Sequence, residues 1–380
     1  MPTLRHAPPS TPILTVNTGS SSVRLALFRA GSEGAPRCIA RARYASIGED
    51  PGPLLQGFLQ QRDSSAPAAV AHRVVHGGEH FAASCRLDAT AEAEIEHLSG
   101  LAPLHNPHAL RWLRAARALL GPDVPQVGVF DTAFYAHLPA VARAYAIPGA
   151  LAGRLGLRRY GFHGLAHRAM WQCWRQRQAD IGVGGRVISL QLGAGSSITA
   201  IEDGIARDTS MGFSPSEGLV MATRCGDIDP GLVLFLQRHE GWSAAHTERL
   251  LNEQSGLLGV SGVSADMRAL VDSNDPHARL AVDLYCYRAR KYIGAYMAVL
   301  GLPHAILFGG GVGENLPEIR RRILDGLSWC GLLLDDAANT ASGEGERRIS
   351  ARDSRVQAWV IPVDEEGVLV QEAVGVLAGT

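Results

Sequence analysis

The stretch ILTVNTGSSSVRLALF, residues 13–28, is the strongest structural signal in the chain. Two apolar, strand-like runs flank the polar segment Asn17–Ser22, and this pattern predicts two strands joined by a tight turn. Gly19 gives the turn backbone freedom, while the neighbouring hydroxyl and N–H groups form a concavity that suits oxygen anions. The hairpin is therefore also a candidate phosphate-binding turn.

The same arrangement returns far downstream. The segment Val187–Gly204, VISLQLGAGSSITAIEDG, again places a Gly/Ser turn between two apolar runs. A third glycine-rich turn, FGGGVGEN at 308–315, follows the apolar residues Ala305–Leu307. Any one hairpin could use Gly and Ser for turn geometry alone. Together the three turns favour a duplicated domain, with each half directing a phosphate-binding turn to one cleft.

Composition excludes several classes of protein. The 380 residues suffice for two domains, and the net charge of -1 gives no electrostatic reason to expect a nucleic-acid or membrane-surface partner. The single lysine, Lys291, does not lie in a Gly-Lys-Ser/Thr motif, which excludes a P-loop NTPase. Six scattered cysteines without a CxxC pair predict reduced thiols. No apolar run reaches the roughly 18 residues of a membrane helix, so we expect a soluble cytoplasmic protein.

Motifs for other chemistries are missing from the sequence. There is no Gly-x-Ser-x-Gly elbow for a serine hydrolase, and no His-Glu-x-x-His or cysteine pair for zinc. Phosphoryl transfer, which needs cations and hydrogen-bond donors around the transferring group, fits better. Each candidate residue alone is more often a surface ion pair, but their shared placement at strand ends and glycine turns favours a site. These residues are Arg73, Asp131, His163, Arg224 and Glu365.

Three longer segments complete the interpretation. Tyr145–Gly161 predicts a crossing between the halves, and Asp208–Arg224 predicts a long functional loop. The apolar spacing over 280–300 predicts an amphipathic helix whose role is core packing or subunit contact. A closing helix is predicted after Glu366.

Together these stretches resemble the acetate kinase family, within the acetate and sugar kinase/Hsp70/actin superfold. The resemblance runs from about Ile13 to Glu372 and includes ILTVNTGSSS, HRVVHGGEHF, LAPLHNP, VFDTAF, RRYGFHG, LGAGSSITAIEDG, DTSMGFSPSEGL, TRCGDIDPG, SGLLGVSGVSADMR, FGGGVGEN and IPVDEE. It implies an α/β protein of two duplicated actin-like (ribonuclease H-like) domains with a central cleft. The first domain would be 1–148 plus 366–380, and the second, 149–365, would bind nucleotide and contribute the dimer contact.

The resemblance also implies an activity. It is the transfer of the ATP γ-phosphoryl group to acetate by a homodimer, giving acetyl phosphate and ADP, with Mg²⁺ as the metal and Mn²⁺ as an alternative. Asn17 and Glu365 correspond to magnesium-linked residues, and Arg73, Asp131, His163 and Arg224 to catalytic residues. Arg73 also belongs to the carboxylate site, and the small apolar pocket of the family falls on Val75, Leu104, Phe162 and Pro215. The nucleotide-binding positions are Arg24, Gly193, Ala194, Gly195, Asp266, Met267, Arg268, Gly311, Val312, Gly313, Glu314 and Asn315.

Three segments depart from the family pattern, at five positions. The usual His-Leu-Gly-Asn-Gly turn is Gln191-Leu-Gly-Ala-Gly195 here, the usual Gly-Thr-Ser-His is Gly164-Leu-Ala-His167, and the usual Lys is Arg24. The change at Ala194 keeps the backbone N–H but removes a side chain that faces phosphate. Three functions therefore stay open: an acetate kinase, a propionate or other short-chain acid kinase, and a nucleotide-binding homologue with an altered phosphoryl donor or without turnover.

Overall fold

The structure is a computed structural model that describes residues 12–19, 22–29, 36–45, 50–60, 66–103, 105–178, 185–343 and 345–379. The described residues form two compact units, one from Met1–Ala136 with Asp364–Thr380 and the other from His137–Val363. Residues 137–148, which the sequence placed in the first domain, group with the second unit. The reason is local: the backbone N–H of Arg159 donates to the Arg143 carbonyl, and its side chain donates to the Ala142 carbonyl.

The first unit is built on a sheet with the strand order β3-β2-β1-β4-β6-β5. Strands β1 to β3 form an antiparallel meander, β1, β4 and β6 run parallel to one another, and β5 pairs antiparallel with β6. Every residue of β1, β4 and β6 is buried, as expected for strands that are covered on both faces. The antiparallel pairing of β1 with β2 confirms the predicted opening hairpin. The strands are β1 (Pro12–Thr18), β2 (Ser22–Arg29), β3 (Arg37–Ala45), β4 (Ala69–Val74), β5 (Cys85–Arg86) and β6 (Gln126–Phe130).

Four helices pack around this sheet. The first and third contact each other, and the last one contacts β1, β4 and β6. They are α1 (Pro51–Gln60), α2 (Ala89–His97), α3 (Asn106–Leu120) and, from the end of the chain, α15 (Glu365–Ala378). Single turns of 3₁₀ helix lie at Leu98–Gly100 and Asp131–Tyr135.

Two buried histidines give the first unit a predicted sensitivity to acid. Burial lowers the pKa of His72 and of His76 from 6.5 to about 4, and the His72 ring also contacts Gln126 Oε1 at 2.7 Å. Between these pKa values the unfolded chain binds a proton that the folded chain does not, so the free energy of unfolding falls as the pH drops from 6.5 to 4. The expected loss is about 3 kcal/mol for each histidine.

Urea unfolding at pH 7, 5.5 and 4.5 measures this loss. The variant His72→Gln should lose less stability with falling pH than the unchanged protein, because one of the two titrating groups is gone. The exposed His239 offers a matched control, since His239→Gln should follow the unchanged protein. A free energy of unfolding that is constant from pH 7 to 4.5 contradicts the prediction.

The second unit repeats the topology of the first. Its sheet has the order β11-β12-β10-β7-β8-β9, with an antiparallel meander, two further parallel strands and a short antiparallel edge strand. Two sheets with the same connectivity confirm the predicted α/β fold of duplicated actin-like domains. The strands are β7 (Arg186–Leu192), β8 (Ser196–Glu202), β9 (Ile205–Thr209), β10 (Ala305–Gly309), β11 (Arg347–Arg348) and β12 (Gln357–Val360).

Helices of the second unit include the one predicted over 280–300, which is part of α11. Its residues Val282, Cys286, Ala289, Ile293 and Tyr296 all lie in one buried core cluster, which confirms the core role. The helices are α4 (Ala140–Arg143), α5 (Gly149–Leu155), α6 (Gly164–Gln176), α7 (Pro230–Glu240), α8 (Ala244–Glu253), α9 (Gly256–Ser261), α10 (Met267–Val271), α11 (Pro276–Leu300), α12 (Gly310–Asn315), α13 (Pro317–Leu324) and α14 (Asp336–Thr340). A 3₁₀ turn lies at Ser328–Cys330.

Two sequence predictions need correction. The glycine-rich segment 308–315 is not a turn: Gly310–Asn315 form α12, closed by hydrogen bonds from the Gly310 N–H to Glu314 Oε1 and from Asn315 Nδ2 to the Gly311 carbonyl. The predicted long loop begins later than expected, because Asp208 and Thr209 belong to β9. Among the described helices, none combines the length and the apolar character that crossing a membrane requires.

Candidate active site

One cluster of polar side chains lies at the sheet edge of the first unit. Asn17 lies near the end of β1, Arg73 near the end of β4, and Asp131 directly follows β6. Because these three strands are parallel, their carboxyl ends meet at one edge, where α/β proteins bind ligands. Glu365 and Glu366 join them from the first turn of α15. The sequence predicted four of these five residues and missed Glu366, although it stands next to Glu365.

Arg73 is the centre of this cluster. Its Nε and Nη2 donate to the two carboxylate oxygens of Asp131 at 3.0 and 2.7 Å, and Nη1 donates to Asn17 Oδ1 at 3.3 Å. Although burial opposes the charge, the carboxylates of Asp131 and Glu365 raise the pKa of Arg73 above its ordinary value. Of the five N–H groups of a guanidinium, these three hydrogen bonds leave two, and Glu365 Oε2 lies 3.8 Å from Nη1. Arg73 is therefore a rigidly held cation.

The two glutamates share their partners. Asn17 Nδ2 donates to Glu365 Oε2 at 2.8 Å and to Glu366 Oε1 at 2.9 Å. Arg24, which the resemblance assigned to the nucleotide, pairs with Glu365 at 2.6 Å and with Glu366 at 3.0 Å. Both glutamates are buried although they are charged, so these contacts keep a pair of adjacent carboxylates in place.

These residues fit a magnesium ion that takes only one or two ligands from the protein. No group of three or more His, Cys, Asp or Glu side chains is arranged to hold a metal in the described part of the chain. Mg²⁺, however, commonly takes one or two carboxylates, keeps several waters, and obtains its other ligands from phosphates. The cluster has three carboxylates against two arginines, and this excess of negative charge suits a cation that arrives with a nucleotide.

The second unit contains its own cluster, around the glycine turn between β7 and β8. The Gly193 N–H donates to the Gly195 carbonyl at 3.0 Å and closes the turn. A β-carbon placed on Gly195 would lie 3.3 Å from Cε1 and 3.4 Å from Nε2 of His163, and 3.6 Å from Nη1 of Arg224. The imidazole and the guanidinium therefore converge over a residue that has no side chain.

The backbone of His163 is unusual. Its φ of 58° and ψ of 28° are left-handed, and it caps the N-terminus of α6. For a residue with a β-carbon this conformation costs about 1–2 kcal/mol, and such strain clusters at functional sites. Its Nδ1 lies 2.9 Å from Ser197 Oγ, which orients the ring.

The turn that contains Arg224 is fixed by backbone contacts. The Ala222 N–H donates to the Ala194 carbonyl at 3.0 Å, which joins the turn to the glycine turn, and Arg224 Nη1 donates to the Pro215 carbonyl at 3.2 Å. Burial lowers the pKa of Arg224, and no ion pair to a carboxylate offsets it within the described residues. The guanidinium is thus a half-buried cation that pairs with no carboxylate in the part of the chain that the structure describes.

Gly256 determines how closely this turn can pack. Its φ is +62°, and a β-carbon there would meet the Met221 carbonyl and lie 2.7 Å from the carbonyl oxygen of Arg224. We predict that Gly256→Ala lowers the melting temperature and also lowers kcat, because the backbone of Arg224 must move. The left-handed strain alone costs about 1–2 kcal/mol.

The other end of α9 supplies the control for this prediction. Gly262 has a φ of +63° but no atom within 4 Å of its potential β-carbon. Gly262→Ala should therefore lose stability through strain alone and keep its kcat. Equal kcat values for the two variants would contradict the placement of Arg224 by Gly256.

A second set of contacts holds the loop before Arg224, and it was not predicted from the sequence. Arg159 pairs with Glu217 at 2.6 Å, Tyr145 hydrogen-bonds the other Glu217 oxygen, and the Tyr145 hydroxyl accepts the Phe213 N–H at 2.8 Å. These contacts fix the loop that contains Pro215. The basic cluster near 158–159 was a visible signal, but nothing in the sequence indicated its acidic partner.

The predicted nucleotide segments also lie in the second unit. A β-carbon on Gly310 would collide with the Leu192 carbonyl, so α12 packs directly beside the glycine turn. Asp266 caps α10 by accepting the Arg268 N–H at 3.0 Å, and Met267 belongs to the core cluster against which Val312 packs. The side chain of Ala194 is exposed. Gln191 Oε1 is buried without a hydrogen-bond partner in the described part of the chain.

The residues predicted to line the apolar pocket belong to different units. Val75 belongs to the first unit and is buried. Phe162 and Pro215 belong to the second, the former buried and the latter half-buried. Leu104 lies outside the described residues.

Comparisons with known proteins agree on one family. The model of the acetokinase family matches residues 54–371. An acetate kinase from Solibacter usitatus is 46% identical over 327 residues, which cover 85% of this chain and 79% of that protein. The crystal structure of Porphyromonas gingivalis acetate kinase has a TM-score of 0.86 at 34% identity, covering 97% of this chain and 100% of that one. A propionate kinase from Francisella tularensis has a TM-score of 0.84 at 34% identity, covering 95% and 98%.

Proposed function

Since this chain belongs to the acetokinase family, we propose that it transfers the γ-phosphoryl group of ATP to acetate, giving acetyl phosphate and ADP. The observation that carries the proposal is the convergence of His163 and Arg224 over Gly195, where no carboxylate of the described residues pairs with the arginine. A transferring phosphoryl group spreads negative charge over its equatorial oxygens. A cation and a hydrogen-bond donor beside an open glycine turn stabilise that charge.

The carboxylate acceptor is assigned to Arg73. Its two remaining N–H groups suit a carboxylate, and Asp131 holds the guanidinium in one orientation by a bidentate pair. The acceptor oxygen is already a nucleophile, so Asp131 does not need to remove a proton. Val75, Leu104, Phe162 and Pro215 are proposed to bound the methyl group of the acid.

Asn17 and Glu365 are proposed to hold the magnesium ion, with Glu366 supplying a second carboxylate. When bound, Mg²⁺ neutralises charge on the phosphates of the nucleotide. The chain's own contribution is to hold both carboxylates in place, which Asn17 and Arg24 do through the contacts described above.

The nucleotide is assigned to the second unit. Gly193, Ala194 and Gly195 would approach its phosphates, while Asp266–Arg268 and Gly311–Asn315 would contact its adenosine. Ala194 retains the backbone of the turn but has only a methyl group, so contacts to phosphate at this position come from the backbone.

A hydroxamate assay tests the function directly, because hydroxylamine traps the acyl phosphate product. Acetate, propionate and butyrate are each assayed with ATP and with pyrophosphate, with and without Mg²⁺. We expect the highest rate with acetate, ATP and Mg²⁺, and a reaction without acceptor gives the background colour to subtract. Nucleotide binding by calorimetry without product from any acid would contradict the proposal and indicate a binding homologue.

A propionate kinase is the second candidate, favoured by the likeness to the Francisella tularensis enzyme. Both candidates share the phosphoryl site and differ only in the room for the acyl chain. A kcat/KM for propionate above that for acetate would establish that the protein is a propionate kinase.

Assembly and location are proposed from the family. A homodimer is expected by sedimentation velocity, with α11 as a contributor to the contact through its exposed Leu280 and Tyr287. A cytoplasmic location is proposed because the substrates ATP and ADP are found there.

A further inference from the structure

A chain of buried hydroxyl and imidazole groups extends behind His163. Nδ1 of His163 lies 2.9 Å from Ser197 Oγ, which lies 2.8 Å from Nε2 of His167. Nδ1 of His167 lies 2.9 Å from Ser189 Oγ, and that hydroxyl contacts Met170 Sδ at 3.8 Å. These four contacts form one continuous path, which we call the relay.

The fold explains how the relay is assembled. His163 and His167 are four residues apart at the start of α6, so their side chains share a face. On the sheet, Ser189 of β7 lies opposite Thr199 of β8, two residues from Ser197, so both serines are on the same face. The residues Ser189, Ser197 and His167 are fully buried, and the hydroxyls fill both nitrogen positions of the His167 ring.

The number of protons on the side chains of the relay determines which group donates and which accepts in each hydrogen bond. Burial lowers the pKa of His167 well below 6.5, so this imidazole is neutral and has one proton. If Ser197 donates to His167, then His167 donates to Ser189, whose own proton is left for the sulfur of Met170. If Ser197 donates to His163 instead, Ser189 must donate to His167, and the sulfur contact lacks a proton. Only the first direction satisfies all four contacts.

We propose that Ser197, held by His167 and Ser189, is a positioning residue that fixes the single proton of neutral His163 on Nδ1. The second proton of the imidazolium then enters and leaves at Nε2, the atom beside Gly195 and the Arg224 guanidinium. It follows that His163 donates a hydrogen bond from Nε2 only as the imidazolium. This inference deepens the proposed function, and its catalytic consequence rests on that function. The position of the proton on His163 does not depend on the proposed function.

Nuclear magnetic resonance tests the proton position without any turnover. In protein labelled with ¹⁵N-histidine, long-range ¹H–¹⁵N spectra distinguish a protonated ring nitrogen from an unprotonated one. The His163 signal is assigned by its loss in His163→Asn. Above its pKa, neutral His163 should show the proton on Nδ1, and a proton on Nε2 in the unchanged protein would overturn the proposal.

The variant Ser197→Ala removes the acceptor for that proton. We expect the neutral ring to shift toward the Nε2 form, kcat to fall on the order of tenfold to a hundredfold as for other residues that orient a functional histidine, and the KM for ATP to change little. Thr209→Val is the matched control, because it removes a buried hydroxyl from the adjacent strand outside the relay. That control should leave both the proton position and kcat unchanged.

The outcomes separate the two proposals. A Ser197→Ala variant that folds and keeps the proton on Nδ1 overturns the inference. If that variant does not fold, the measurement on the unchanged protein still decides the matter. An Nδ1 proton in a protein that makes no acyl phosphate would leave the inference standing and remove the proposed function.

Discussion

Replacing Arg224 with alanine is expected to lower kcat by about two to three orders of magnitude while changing the KM for ATP far less. The guanidinium lies beside His163 and has no ion-pair partner among the described residues, so its charge is available to the transferring group. An interaction that strengthens only in the transition state lowers kcat when it is removed, and it does not weaken ground-state binding.

Steady-state kinetics with acetate and ATP provide the measurement. Arg224→Lys should recover only part of the loss, because an ammonium keeps the charge but not the planar fork of donors. Arg249→Ala, at an exposed position of α8, is the matched control and should keep the unchanged kcat. A near-normal kcat for Arg224→Ala would refute the role.

Replacing Asp131 with alanine is expected to have the largest effect on stability. Arg73 would lose its bidentate partner in a buried site and keep only the Glu365 carboxylate at 3.8 Å, and breaking one side of a buried pair costs up to about 3–5 kcal/mol. The KM for acetate should rise as well, because the guanidinium is no longer held in one orientation.

Chemical denaturation measures the first effect and steady-state kinetics the second. A surface network gives the contrast: Glu318→Ala breaks the pairs of this half-buried residue with Arg321 and Arg322 and should cost about 1 kcal/mol. Equal losses for the two variants would show that Arg73 is compensated by other groups.

The elements that could be predicted from the sequence are those with a local signal. The hairpin of β1 and β2 has alternating apolar residues and a Gly/Ser turn, and both features act within a few residues. The helix α12 could not be predicted, because glycine is a poor helix former. Its formation depends on side-chain contacts from Glu314 and Asn315 that close the helix onto its own backbone.

The candidate site, too, could be predicted only in part. Arg73, Asp131 and Glu365 were predictable as polar residues at the ends of apolar strands. Their contacts were not, since Arg73 and Asp131 are 58 residues apart and Asn17 and Glu365 are 348 apart. The relay could not be predicted from the sequence for the same reason. Its serines lie 22 and 30 residues from His167, and β8 contains two other buried hydroxyl residues, Ser196 and Thr199.

The first unit is assembled from two distant parts of the chain, because α15 packs on strands that begin with β1. On the ribosome, all of His137–Val363 is therefore made before Glu365 and Glu366 exist. Until translation passes these residues, the nascent chain has Arg24 and Arg73 without their glutamate partners. Translation of Glu365 and Glu366 is thus the step that supplies the acidic pair, and a chain released before Asp364 would have the residues of the second unit but no acidic pair at the proposed metal site.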